Sequence, residues 1–155
     1  MRVGAWAAAV LAALLALLPA PAGAAPRIGV LTMQPGEVFF ERFGHDAIVV
    51  VDPAAGTAIS YNFGYFDPGE PDFVARFARG EMLYQLVALP VEQDLEQYRQ
   101  SGRGVSVQWL DLEPAQAVEL AASLAERSRP ENARYRYDYY TANCATQVRD
   151  ALDQA

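Results

Sequence analysis

The chain has 155 residues, a net charge of −7 and 52% hydrophobic content, and every one of its 12 basic residues is arginine. An acidic chain of this kind offers no electrostatic footprint for nucleic acid, and the absence of lysine excludes Schiff-base chemistry and a Ser–Lys dyad. A single cysteine and a single histidine exclude an internal disulfide and the usual Cys- and His-rich zinc sites, and nothing in the composition calls for a cofactor.

The chain opens as an export signal. Arg2 supplies a short positive region, Val3 to Leu18 is almost wholly apolar, Pro19-Ala20-Pro21 breaks that run, and Ala22-Gly23-Ala24 is a small-x-small cleavage site. An uncleaved membrane anchor is the alternative, but the run is short for a span. No cysteine follows the cleavage region, so a lipid-modified amino-terminal cysteine is excluded. The expectation is a signal peptide over 1–24, export to the periplasm, and one domain over 25–155. About 130 residues suffice for a single core.

Ile28 to Thr32 reads as a first strand, ended by Gln34-Pro35-Gly36. His45 to Val51 alternates with His45, Ala47, Val49 and Val51 on one face, Asp52-Pro53-Ala54-Ala55-Gly56 is a turn cluster, and Thr57 to Phe63 returns as the second arm of a hairpin. If Asp52 pairs with Thr57, Ala47 lies opposite Asn62, and Asn62 becomes a diagonal neighbour of His45 within side-chain reach. A slip of one residue would put Tyr61 and Phe63 there instead. Glu70-Pro71-Asp72 starts a short helix with Phe73 and Phe77 at i, i+4 spacing, and Gly80 ends it. Met82 to Leu89 reads as a strand, followed at Pro90 by a helix with Val91, Leu95 and Tyr98 on one face and closed by Gly102-Arg103-Gly104. Val105 to Leu112 forms a further strand, and Asp111 and Pro114 mark the start of a helix whose stripe is Ala117, Leu120, Ala121 and Leu124. Arg134 to Tyr140 alternates as a strand or extended edge. Its tyrosines either pack structurally, with the arginines and Asp138 in water, or line a groove for an acyl chain or peptide.

Cys144 follows Asn143, among the best helix N-caps, so its sulfur belongs to the first turn of a helix carrying Val148 and Leu152 at i+4 and i+8. A thiol attacks as its thiolate, and a helix N-terminus and an adjacent imidazole both favour that form. Unpaired first-turn N–H groups can also hold an oxyanion. His45, opening a strand on which the cysteine helix packs, is the candidate base, and Asn62 the candidate for holding its second ring nitrogen. Each residue alone has a bland reading, a small buried thiol or a structural imidazole. A lone thiol sent to an oxidising compartment calls for a reason, and catalysis is the leading one.

Phe43-Gly44-His45, Tyr61-Asn62-Phe63-Gly64 and Asn143-Cys144-Ala145-Thr146 followed by Arg149-Asp150 resemble the motifs of the Lnb N-terminal periplasmic domain family. In outline this is similar to circularly permuted papain-like thiol enzymes, in which the His strand precedes the Cys helix; cell-wall endopeptidases and the lecithin:retinol acyltransferase group are examples. The resemblance runs from Ile28 to the C-terminus and is most specific at the Cys and His motifs. It implies an α+β papain-like core, an antiparallel sheet with packed helices, and the nucleophile Cys144 at the N-terminus of the C-terminal helix with His45 as base. It also implies lipoprotein N-acylation, with a phospholipid as acyl donor, a lipoprotein as acceptor and a membrane surface close by. Members continue past the cysteine helix, often into membrane helices, so a sequence ending at Ala155 is read as a fragment or a stripped-down member. Three functions follow for test: a periplasmic thiol acyltransferase, a cell-wall cysteine peptidase or amidase, and a non-catalytic exported binding domain.

Overall fold

The computed structural model describes residues 24–154, and the leader expected over 1–24 lies, apart from Ala24, outside them. Six strands form one antiparallel sheet: β1 (Arg27–Met33), β2 (His45–Asp52), β3 (Thr57–Tyr65), β4 (Leu83–Pro90), β5 (Val105–Trp109) and β6 (Arg134–Arg136), in the order β5-β1-β2-β3-β4-β6. Among the described residues four helices accompany it: α1 (Phe73–Arg79), α2 (Val91–Gln100), α3 (Pro114–Arg127) and α4 (Cys144–Leu152), with a short 3-10 turn at Phe39–Glu41. The class is α+β. Among the described residues no helix is long and apolar enough to cross a membrane.

The hairpin takes the register set by its turn. Asp52 pairs with Thr57 and Ala47 with Asn62; Asp52 Oδ1 accepts the N–H groups of Ala54 (2.9 Å) and Ala55 (3.0 Å), the local bonding that makes Asp a turn former. The central strand β2 is buried from Ala47 to Val50 on both faces, because helices cover both. On one side Ile28, Ile48, Val50, Tyr61, Phe63 and Leu86 pack against Ala117, Leu120 and Leu124 of α3 and Val148 and Ala151 of α4. On the other, Leu31, Met33, Ala47 and Val49 meet Val91 and Tyr98 of α2. The first cluster is the larger, and Phe63 at its centre is fully buried; truncating such a ring to alanine costs about 3–5 kcal/mol.

Two boundaries differ from the sequence reading. The last long strand stops at Trp109 rather than Leu112, and α3 starts after Glu113 rather than Asp111. Pro114 fits the first helical position, and Gln116 Oε1 accepts the Glu113 N–H at 3.1 Å, so the cap forms next to the proline. The aromatic stretch is extended only over β6. Asp138 Oδ1 then accepts from Tyr140 N (2.9 Å), Thr141 N (2.8 Å) and Thr141 Oγ1 (2.8 Å), and this local competition folds the chain back into α4.

Candidate functional site

Cys144 is the first residue of α4, and Asn143 is its N-cap. Asn143 Oδ1 accepts the Thr146 N–H at 3.0 Å, Thr146 Oγ1 accepts the Asn143 N–H at 2.9 Å, and Asn143 Nδ2 donates to Tyr139 O at 2.8 Å. The reciprocal pair is a capping box. It leaves the N–H groups of Cys144 and Ala145 in the first turn, where no intrahelical acceptor exists. Cys144 is a free, partly buried thiol packed at the margin of the larger core cluster.

His45 opens β2, paired across from Met33 of β1. His45 Nε2 and Asn62 Oδ1 lie at hydrogen-bond distance, 3.1 Å, the diagonal contact that the hairpin register makes available. Behind it lies a buried polar network. Asn62 Nδ2 donates to Asp94 Oδ2 at 2.9 Å and to Ser60 Oγ at 3.2 Å, and Ser60, Asn62 and Asp94 are all buried. Burial pushes the His45 imidazole below its ordinary value, against the hydrogen bond to Asn62 and the charges of Asp94 and Asp46, which raise it; Arg103 lowers it further. The ring is therefore held towards its neutral form, the form that can accept a proton.

The pairing of β1 with β2 puts His45 on the face of Met33 and Ala47, the face covered by α2. Cys144 belongs to α4, which covers the opposite face, and packs with the Ile48 and Val50 cluster. The two do not meet across one face of the sheet. They come together round its end, where both line one cavity of about 300 Å³. Two glycines at that end have φ in the left-handed region, Gly44 at 73° and Gly64 at 107°. A Cβ on Gly44 would sit 2.7 Å from Met33 O, so the residue before His45 must be glycine for the strand to enter as it does. Gly64 occupies the register shift between Phe63 and Tyr65 against β4, a bulge that ends regular pairing beside the site.

The cavity that holds the sulfur is aromatic. Phe40, Phe43, Phe66, Tyr84, Tyr137 and Tyr139 are among its lining residues, and ring contacts link Phe40 to Phe66 (5.0 Å), Phe66 to Tyr84 (4.9 Å), Tyr84 to Tyr137 (4.3 Å) and Phe43 to Tyr139 (6.1 Å). Of the tyrosine stretch, Tyr135 packs on the core, while Tyr137 and Tyr139 line this cavity. Of its lining rings Phe43 is 78% exposed, and Tyr140, in ring contact with Tyr139, is 82% exposed. A second cavity of about 450 Å³ has a mixed lining, with Glu41, Asp94, Gln97 and Arg103 beside Val87 and Leu89, and shares Phe40, Gly44, His45, Gly64 and Phe66 with the first. Arg103 pairs with Glu41 at 3.2 Å, donates to Gln34 O at 2.8 Å and stacks over Tyr98, whose phenol burial pushes up to about 12. Among the described residues no group of three or more His, Cys, Asp or Glu is placed to hold a metal ion.

Sequence reasoning missed Asp94, Ser60, Arg103 and the 3-10 turn that carries Phe39 and Phe40. A signal for Asp94 did exist. It lies three residues after Val91 and four before Tyr98, so it sits on the apolar face of α2, where an unpaired carboxylate is too costly to bury. Tyr135 is a further residue of this region. Its hydroxyl is buried with no partner, 3.9 Å from the Cβ position of Gly64, and burial raises its phenol pKa, with Cys144 the second contributor.

A family model for the Lnb N-terminal periplasmic domain matches residues 24–155. No curated protein and no solved structure matches the chain.

Proposed function

This chain belongs to the Lnb N-terminal periplasmic domain family, and we propose that it is a thiol acyltransferase with Cys144 as nucleophile, His45 as general base and Asn62 as the residue that orients the imidazole. The observation that carries the reading is that a capped helix-start thiol and the chain's single imidazole line one aromatic cavity. The order of a His strand ahead of a Cys helix supports reading the core as a permuted papain-like one.

In the first half-reaction the neutral imidazole takes the thiol proton, and the sulfur attacks an ester carbonyl of a phospholipid. The tetrahedral oxyanion is held by the N–H groups at the start of α4. The ester C–O bond breaks, the leaving alkoxide takes the proton back from His45, and a thioester and a lysophospholipid result. In the second half-reaction an amine, the amino-terminal cysteine of a lipoprotein, attacks the thioester carbon and gives a proton to His45. The amide forms, and the thiol is restored by that proton. A ring shifted towards its neutral form suits both steps, since each begins with an unprotonated imidazole.

Two features favour an acyl substrate over a charged one in the sulfur's cavity. Its lining is dominated by phenylalanine and tyrosine rings, and Phe39, Phe43 and Tyr139 in it, with Tyr140 beside Tyr139, are exposed. These suit insertion at a membrane surface, where aromatic side chains settle at the headgroup level. The charged groups Glu41, Asp94 and Arg103 lining the second cavity favour a second reading, a cysteine peptidase or amidase of the cell wall, in which water rather than an amine resolves the thioester. One experiment separates the two. The protein is incubated with phosphatidylethanolamine vesicles and examined by mass spectrometry for an acyl adduct on Cys144, then chased with a short peptide bearing an amino-terminal cysteine. An adduct that transfers to the peptide amine supports the transferase; no lipid adduct, with cleavage of cell-wall peptide that is lost in Cys144→Ala, supports the peptidase; neither activity removes the covalent mechanism.

A further inference from the structure

We propose that Asp94 is a positioning residue that locks the Asn62 amide in one orientation, fixes the proton of neutral His45 on Nε2, and leaves Nδ1 as the nitrogen that serves Cys144. The tautomer is independent of the acyl-transfer reading; the role of Nδ1 towards the thiol rests on it.

The chain of reasoning starts at the carboxylate. A carboxylate has no hydrogen to give, so the amide group facing Asp94 Oδ2 at 2.9 Å must be the NH2. Ser60 points the same way. Its hydroxyl donates to Leu89 O at 3.4 Å, which turns an oxygen lone pair towards Asn62 Nδ2 at 3.2 Å. Both amide hydrogens are then used, and Oδ1 is turned to His45. A flipped amide would set an oxygen against the carboxylate and the serine lone pair inside a buried pocket, with Asp94 3% exposed. Since Oδ1 can only accept, Nε2 carries the hydrogen, and neutral imidazole has its lone pair on Nδ1. Without Asp94 the amide has only Ser60 to choose its orientation.

The same carboxylate acts on the ring at longer range. The charged and titratable groups about His45 are Asp46 beside it on β2, Asp94 and Tyr98 from α2, Arg103 from the segment after α2, Glu41 from the 3-10 turn and Cys144 from α4. Asp94 and Asp46 favour imidazolium, while burial and Arg103 oppose it. Removing the Asp94 charge therefore moves the titration of His45 down.

The single histidine of this chain makes the test unambiguous. With 15N-labelled histidine, the two-bond proton–nitrogen pattern of the only imidazole reports which nitrogen is protonated. Wild type is expected to carry the hydrogen on Nε2 above the titration midpoint. Asp94→Asn is expected to populate both tautomers, to shift the midpoint to lower pH, and to slow alkylation of Cys144 on the order of ten- to a hundred-fold, as when an outer-shell partner is lost. Glu92→Gln, an acidic residue on the solvent side of the same helix turn, should change none of these. A wild-type spectrum with the hydrogen on Nδ1 overturns the proposal, and so does Asp94→Asn with the wild-type tautomer and midpoint. If Asp94→Asn does not fold, the Asn62 side-chain amide in wild type still decides: two protected, hydrogen-bonded protons support the lock, and free exchange overturns it. A locked Nε2–H tautomer in a protein whose thiol alkylates equally fast in His45→Gln keeps the lock and discards the action of Nδ1 on Cys144.

Discussion

Asn143 is the residue through which the fold reaches the thiol, and Asn143→Ala measures that link. The substitution removes two bonds: the cap from Asn143 Oδ1 to Thr146 N at 3.0 Å, and the tie from Asn143 Nδ2 to Tyr139 O at 2.8 Å. Loss of an N-cap costs about 1 kcal/mol. The second bond is exposed, and water replaces most of it, so about 0.5 kcal/mol is the expected net loss. The bond from Asn143 N to Thr146 Oγ1 survives. The expected destabilisation is therefore about 1.5 kcal/mol, read as a lower urea midpoint with an unchanged slope. Because the first turn frays before the helix, iodoacetamide alkylation of Cys144 at near-neutral pH should slow several-fold in protein that is still folded. Asn143→Asp separates order from charge. It keeps a capping oxygen and recovers most of the stability, but sets a carboxylate beside the sulfur that opposes the thiolate, so its alkylation should be slower still. An Asn143→Ala protein with the wild-type midpoint would refute the cap energetics. Alkylation rates that do not change across the three proteins would refute the coupling of cap to thiol.

Cys144→Ala should abolish acyl-adduct formation, with a loss of stability of about 1 kcal/mol by analogy with single-group core truncations, checked by mass spectrometry and urea melts. His45→Gln should slow single-turnover acylation on the order of a hundred- to ten-thousand-fold. It should also flatten the pH dependence of stability: burial holds the folded imidazole below its ordinary 6.5, so as pH falls from 6.5 the unfolded chain binds the proton first and wild type loses stability until the folded ring protonates as well, a loss the glutamine variant lacks in melts across that window. Tyr135→Phe removes a buried hydroxyl without a partner and should leave stability unchanged or slightly raised; a fall in the acylation rate in that well-folded variant would identify the hydroxyl as a group used in the reaction. Phe43→Ser with Tyr140→Ser should cut sedimentation with zwitterionic vesicles while leaving the circular dichroism spectrum unchanged, since both rings are largely exposed.

The parts of this fold that were legible are those that local chemistry determines. The turn-forming carboxylate of Asp52 sets the hairpin register, and the register sets Asn62 beside His45 without any knowledge of the remaining strands. Asn143 before Cys144 announces the helix start in the same way. What could not be read depends on contacts distant in sequence. Asp94 reaches Asn62 only because α2 lies across β3 and β4. The placement of β5 against β1 at the sheet edge is likewise a matter of packing rather than of pattern. The sequence reading had the cysteine helix pack on the sheet with His45 at the start of one of its strands, but not which face each group takes. Strand alternation puts them on opposite faces: His45 shares a face with Met33 and Ala47 while α4 packs on the Ile48 and Val50 side.

That opposite placement explains why the end of the sheet is built as it is. Two groups held on opposite faces can share a cavity only where the strands between them stop or lose their side chains. Gly44 before β2 and Gly64 at the bulge of β3 provide both conditions. The imidazole is then fixed from the α2 side through Asn62, Ser60 and Asp94, and the sulfur from the α4 side through Asn143 and Thr146. Neither support passes through the other. His45 is also common to the aromatic cavity and the one of mixed lining. On the proposed acyl-transfer reading, a single base at that junction would serve both the thiol that attacks the acyl donor and the amine that resolves the thioester.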